Sequence, residues 1–139
     1  MFASVSIWGV ILGAVSAMAV GVIWYSPFVF GKQWSKGMGV SDKAMNENRA
    51  KVMPILVLGS LITAYALSLL TVYLHSFAGS SWVKAGIEAG FLAAIGFAGT
   101  ALVVHGVFDP RAKKVMYINL GNRVVTLVIM GFIVGALLS

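Results

Sequence analysis

The sequence predicts an all-α integral membrane bundle of four transmembrane helices, and three observations carry that prediction. First, 60% of the 139 residues are hydrophobic and only 10% are charged, against roughly 25% charged in ordinary soluble domains. So small a chain cannot cover a soluble surface with so few charges. Second, the apolar residues fall into four runs, each able to cross the roughly 30 Å core of a bilayer as a helix. Third, the basic residues sit in the gaps between runs, where membrane topology uses charge. They do not share a soluble face, so the net charge of +6 predicts no nucleic-acid partner. The lack of cysteine excludes disulfides, thiolate metal sites and cysteine nucleophiles. One four-helix domain over residues 1–139 is expected.

The first span is expected over about 5–26, within a stretch, 1–31, that carries no charge. Ala17-Met18-Ala19 mimics a signal-peptide cleavage site, but the apolar run continues past it, which favours a retained helix. Pro27 should end the helix, because the residue before a proline is pushed out of the helical region. Ser41 is placed to cap a short segment, Asp42 to Met53, whose polarity puts it at the interface or in water. It should feed a second span, about 54–75, with Pro54 in the first turn, where a missing N–H is tolerated. Gly79-Ser80-Ser81 reads as a turn, with Ser81 the N-cap of a third span, about 83–108. Asp109-Pro110 closes that span, and the fourth follows over about 115–138.

Orientation follows from counting Lys and Arg. Lys32, Lys36, Lys43, Arg49 and Lys51 lie between the first and second spans, and Arg111, Lys113 and Lys114 between the third and fourth; the middle connection offers only Lys84. The positive-inside rule then makes the basic loops cytoplasmic and both termini extracytoplasmic. Trp24, Tyr25, Trp34 and Tyr117 would anchor the inner boundary, and Trp8, Tyr73 and Trp82 the outer one. In the cysteine-free chain, a cysteine at Ser139 should react with a membrane-impermeant thiol reagent in intact cells, and one at Ser41 should not. The reverse labelling pattern would overturn the topology.

Small residues recur along three spans: Gly9, Gly13, Ala17 and Gly21; Gly86, Gly90, Ala94 and Ala98; Gly131 and Gly135. In lipid such ridges let backbones approach closely, since packing drives helix association there. They serve packing within one bundle, a subunit interface, or both. The second span carries Ser60, Ala64, Ser68, Thr71 and His75 as a stripe. Those hydroxyls either bond to their own helix or line a wet path.

Ionisable groups inside a membrane are costly and point to candidate sites. Glu88 either pairs with Lys84 one turn away or joins His75 in an outer acidic site. At the other end, His105, Asp109, Asn119, Asn122 and Arg123 form a candidate polar cluster for an anionic headgroup or small solute. The plainer alternatives are an Arg123 that snorkels toward phosphates and a His105 bonded to a backbone carbonyl. His105 and Asp109 have the spacing of a base and its orienter, but no nucleophile accompanies them. No His-x-x-x-His, glycine-rich phosphate loop or Gly-x-Ser-x-Gly elbow is present. The two histidines belong to opposite sides, so one chain cannot join them on a metal.

The block Trp24-Tyr25-Ser26-Pro27-Phe28-Val29-Phe30-Gly31-Lys32-Gln33-Trp34, together with Tyr117-Ile118-Asn119-Leu120-Gly121-Asn122 and the later Met130-Gly131 and Gly135, resembles a family of small bacterial membrane proteins known as domain of unknown function 1761. Trp24, Tyr25, Ser26, Pro27, Phe30, Gly31, Lys32 and Trp34 carry most of the likeness. The resemblance implies four spans and a bacterial cytoplasmic (inner) membrane, and it implies no catalytic residue. The chain departs from the family pattern at Val103-Val104-His105-Gly106-Val107, where an asparagine-rich stretch is expected.

Together these readings predict a non-enzymatic membrane protein without a cofactor, with membrane lipids as partners. It would be a structural or accessory subunit that forms a homo-oligomer or joins a larger membrane complex. The alternative is a small oligomeric transporter or channel.

Overall fold

The computed structural model describes residues 5–139. Ser6 starts the first helix, α1 (Ile7–Trp24), its hydroxyl accepting from the Gly9 N–H at 3.2 Å. Ser41 and Ser81 do the same for α3 (Asp42–Ala78) and α4 (Trp82–Leu92), accepting from Ala44 and Lys84. Each supplies an acceptor to a first-turn N–H that the helix leaves unpaired. A short helix, α2 (Gly31–Met38), lies between the first two spans. It ends at Gly39, and α3 ends at Gly79, both in the left-handed conformation that glycine adopts without strain. A π-helical stretch, Ala93–Gly99, continues α4 into α5 (Thr100–Phe108). The short α6 (Pro110–Lys114) then leads into α7 (Met116–Leu138). Among the described residues, four helical segments are long and apolar enough to cross a membrane: Ile7–Trp24, Asp42–Ala78, Trp82–Phe108 and Met116–Leu138. The protein is a helical membrane bundle, and its basic loops share one end.

α7 is the central helix, burying Thr126, Leu127, Met130, Val134 and two glycines. Ala14 of α1, Ala64 and Leu67 of α3, and Ala89 of α4 complete a core made largely of small side chains. The closest approach is between α4 and α7. A Cβ on Gly86 would collide with the Gly131 carbonyl, and one on Gly131 with the Gly86 carbonyl. Gly90 meets the Leu127 carbonyl and Gly135 that of Trp82 in the same way. The two ridges are therefore engaged with each other inside one chain. Gly13 also packs inside, its Cβ position lying 3.4 Å from the Ala64 Cβ.

Three local expectations are corrected. Pro54 does not stand in a first turn: the Asp42 to Met53 segment and the second span form one unbroken helix of 37 residues, α3, with Pro54 in its interior. The proline deprives the Ala50 carbonyl of its helical partner, but Ala50 lies on the exposed, polar part of the helix, where water can take its place. α2 is a helix that the reading of the first loop passes over; it turns Gly31 and Ser35 inward and Lys32 and Lys36 outward. The π-helical stretch breaks the four-residue ridge. The buried positions run Gly86, Gly90, Ala94, then Gly99 and Gly106, because a π turn adds one residue to the helical repeat. Ala98 is thus only half-buried, and His105 is rotated off the packed face into the exposed class.

Candidate functional site

The two sequence blocks that carry the family likeness dock on each other. After α1 the chain folds back, with the Phe30 N–H donating to the Trp24 carbonyl at 3.0 Å and the Gly31 N–H to the Ser26 carbonyl at 2.9 Å. A Cβ on Gly31 would strike the Tyr25 carbonyl, so the turn needs glycine there. The Trp24 ring packs on Phe30, 4.8 Å between centroids. It also lies against Gly121, where a Cβ would come within 2.9 Å of it. Its Nε1 donates to the Ile118 carbonyl at 3.0 Å. The Oδ1 of Asn119 accepts twice, from the Tyr25 hydroxyl at 2.8 Å and from Trp34 Nε1 at 3.0 Å. An indole N–H only donates, so the Asn119 atom it meets is the oxygen, and the amide NH2 is left to point elsewhere. Trp24, Tyr25 and Trp34 are therefore ties between α1, α2 and α7. Tyr117, Trp8 and Tyr73 stay exposed, as a boundary belt requires.

Behind these ties, at the basic end of the bundle, lies a cavity of about 620 Å³. That is within the range of roughly 300–1,000 Å³ common for small-molecule sites. α1 contributes Ala17, Met18 and Gly21, and α3 contributes Met45, Arg49, Val52, Met53 and Leu56. α7 contributes Asn119, Asn122, Arg123 and Thr126. The two sides differ in chemistry. Apart from Asn48, Arg49 and Ser60 of α3, the α1 and α3 sides are apolar and rich in methionine, a side chain that adapts to irregular apolar shapes. The α7 side is polar. Val22, Val52 and Leu56 line the cavity and are exposed, so its apolar wall opens onto the surface of the bundle. A smaller recess of about 300 Å³ adjoins it, sharing Tyr25, Met45 and Arg49 and adding Lys32 and Asp42.

Two buried polar groups at this cavity lack partners. Asn122 and Thr126 are each 7% exposed, and Asn122 Nδ2 and Thr126 Oγ1 make no hydrogen bond within the protein. Such groups are uncommon because each costs the desolvation of a polar atom. The cations are also unneutralised: the ion pairs among the described residues are Lys43–Glu47, Lys84–Glu88 and Arg111–Asp109, and none involves Arg49 or Arg123.

The sequence-derived cluster therefore divides. Asn119, Asn122 and the exposed Arg123 line the cavity; His105 and Asp109 do not. Asp109 instead caps α6, accepting from the Arg111 N–H at 2.9 Å. That backbone hydrogen bond, with Arg111 close by, holds its carboxyl below the usual carboxylate range. The acidic site at the opposite end is not assembled either. Glu88 pairs with Lys84 at 3.8 Å. His75 Nδ1 donates to the Ser80 carbonyl at 2.6 Å, and its ring stacks on Trp82 with centroids 3.6 Å apart. In the hydroxyl stripe, Ser68 and Thr71 are buried and donate to Ala64 and Leu67 of their own helix, each at 2.8 Å. Of that stripe only Ser60 lines the cavity.

Arg49 and Met45 are cavity residues that the sequence reading leaves in a solvated segment. The signal was present: Met45, Arg49, Val52, Met53, Leu56 and Ser60 recur at helical spacing on one face. That face emerges only when α3 is continued through Pro54.

Residues 8–135 match the family described as "Protein of unknown function (DUF1761)". No curated protein and no solved structure matches the chain.

Proposed function

We propose that this chain, which belongs to the DUF1761 family, is a non-enzymatic integral membrane protein that acts by binding. Its site is the cavity at the basic end, and its ligand is an amphiphile drawn from the adjoining leaflet. By the charge count that leaflet is the cytoplasmic one, and the family resemblance implies a bacterial inner membrane. The observation that carries this reading is the division of one cavity into an apolar wall that opens onto the bundle surface and a polar wall of Asn119, Asn122, Arg123 and Thr126, behind which the unpaired Asn122 Nδ2 and Thr126 Oγ1 lie covered. An amphiphile satisfies both walls at once, whereas water leaves the apolar one unmet.

The packing supports an end-on site over a path through the chain. Beyond Ser60 and Thr126, Ala64 and Met130 are buried at 0% and 1% exposure, and Gly13 packs on both. Self-association rested on the small-residue ridges. The α4 and α7 ridges grip each other within one chain, so of the three ridges only that of α1 has a glycine, Gly21, whose added Cβ would meet nothing within 4 Å.

Gly21 offers the test. It lines the cavity, and a Cβ there would meet nothing within 4 Å. Gly21→Phe should place a ring in the cavity and obstruct it without disturbing the bundle. Amphiphile retained through mild detergent extraction, counted by native mass spectrometry, should fall about tenfold in occupancy-weighted affinity, while the thermal midpoint stays within error. Unchanged retention by a folded Gly21→Phe protein would remove the cavity from consideration.

A further inference from the structure

The polar groups of this cavity are weighted toward donors, although Asn48 and Ser60, which can also accept, line it as well. Arg49 and Arg123 are guanidinium groups, which donate and never accept. Asn119 has its oxygen engaged twice, by Tyr25 and Trp34, so its free capacity is mainly its NH2. Asn122 has an unpartnered NH2, and Thr126 an unpartnered hydroxyl. These donors come from helices far apart in sequence, α3 and α7, and meet at one cavity. No carboxylate among the described residues pairs with either arginine. Asp42 lies in the adjoining recess and shares it with Lys32 as well as Arg49. The cavity thus holds excess positive charge and excess donors beside an apolar wall.

We infer that the headgroup it takes is a phosphomonoester, carried on an acyl or alkyl chain that lies along the Met18, Met53 and Leu56 side. This deepens the binding reading above and rests on it. The choice among anions follows from donor arithmetic. A carboxylate presents two oxygens, which two bidentate guanidinium forks already saturate, and it would leave the two asparagine amides unmet. A phosphomonoester presents three free oxygens and about −1.5 to −2 charge at neutral pH, which balances two guanidinium groups. A phosphodiester has one charge fewer and one free oxygen fewer. The planar fork also explains why arginine rather than lysine stands at both positions: it grips phosphate oxygens in pairs. Asn122 Nδ2 and Thr126 Oγ1 are covered by neighbouring atoms, so a side-chain rotation accompanies their engagement.

The experiment uses the full chain in mild nonionic detergent, with affinities read by native mass spectrometry and checked by thermal shift. The probes are dioctanoyl phosphatidic acid, dioctanoyl phosphatidylcholine, decanoic acid and inorganic phosphate. Phosphatidic acid should bind at least about tenfold more tightly than the phosphatidylcholine or the fatty acid, the order expected for added charge-assisted hydrogen bonds. Arg123→Gln and Arg49→Gln should each remove most of that preference, weakening phosphatidic acid binding far more than phosphatidylcholine binding. Arg123→Lys should lose a substantial part of it, because the fork is gone and the charge kept. Equal binding of phosphatidic acid and phosphatidylcholine, both abolished by Gly21→Phe, would overturn the headgroup inference and leave amphiphile binding standing. Inorganic phosphate binding as tightly as phosphatidic acid would assign the cavity to a free anion and overturn the chain-bearing ligand. Failure of every probe to bind the wild-type chain would overturn the binding reading itself.

Discussion

Gly86→Leu is expected to prevent stable folding, and no other single substitution considered for this chain should cost more. The reason lies in what the new side chain would strike. At most helix contacts an added methyl group meets another side chain, which can change rotamer. Here the Cβ meets the Gly131 carbonyl, and the reciprocal position on α7 meets the Gly86 carbonyl. Backbone cannot rotate away, so α4 and α7 must separate, loosening Leu127 and Val134 from the core they share with Ala89. Overpacking of a core costs roughly 1–3 kcal/mol and occasionally more, and a collision with backbone belongs at or above the top of that range. Membrane helices lack the hydrophobic drive that would hold them together regardless. The measurement is the thermal midpoint in mild detergent, with Gly59→Leu as the control. Gly59 is exposed, and a Cβ there meets nothing within 4 Å, so the same substitution should be neutral. A Gly86→Leu protein that melts with the wild type would show that the ridges do not meet within one chain.

The same contact shows where sequence reading reaches and where it stops. The spacing of Gly86, Gly90, Gly131 and Gly135 announces close helix approach, because a four-residue recurrence of small side chains has few other uses in lipid. It does not announce which ridge meets which, since that is a property of the assembled chain. The spans were legible because hydropathy and charge act over whole segments, and the serine caps because each sits at a fixed offset from the N–H it serves. The π-helical stretch was not legible. Ala93 to Gly99 is small and apolar under either hydrogen-bonding pattern, and the extra residue per turn is selected by how α4 and α5 both pack on α7. From that one shift follow the burial of Gly99 and Gly106 in place of Ala98 and His105, and hence the loss of His105 from the polar cluster. Pro54 misled in the other direction, as a local rule about helix starts was overridden where the unpaired carbonyl was exposed. The α7 half of the cavity was legible from Asn119, Asn122, Arg123 and Thr126 on one face. The α3 half was hidden behind the proline.

The tie at Asn119 separates fold from binding, and Asn119→Leu should weaken the basic end severely. It removes the one oxygen that accepts from both the Tyr25 hydroxyl and Trp34 Nε1. The Trp34 N–H can only donate, and each stranded donor costs roughly 1–3 kcal/mol when buried. α2 would lose its grip on α7, and the cavity behind it would lose a wall. A lower thermal midpoint is expected, with a redder tryptophan emission as Trp34 becomes wetter. Asn119→Asp asks a different question. Its carboxylate still accepts from Tyr25 and Trp34, so the tie and the midpoint should largely survive. But it replaces the amide donors with a negative charge beside Arg123, so phosphatidic acid binding should collapse while phosphatidylcholine binding persists. An Asn119→Leu protein as stable as the wild type would mean that the aromatic block is held to α7 by packing on Gly121 alone. An Asn119→Asp protein that keeps its preference for the phosphomonoester would place the headgroup away from this side of the cavity.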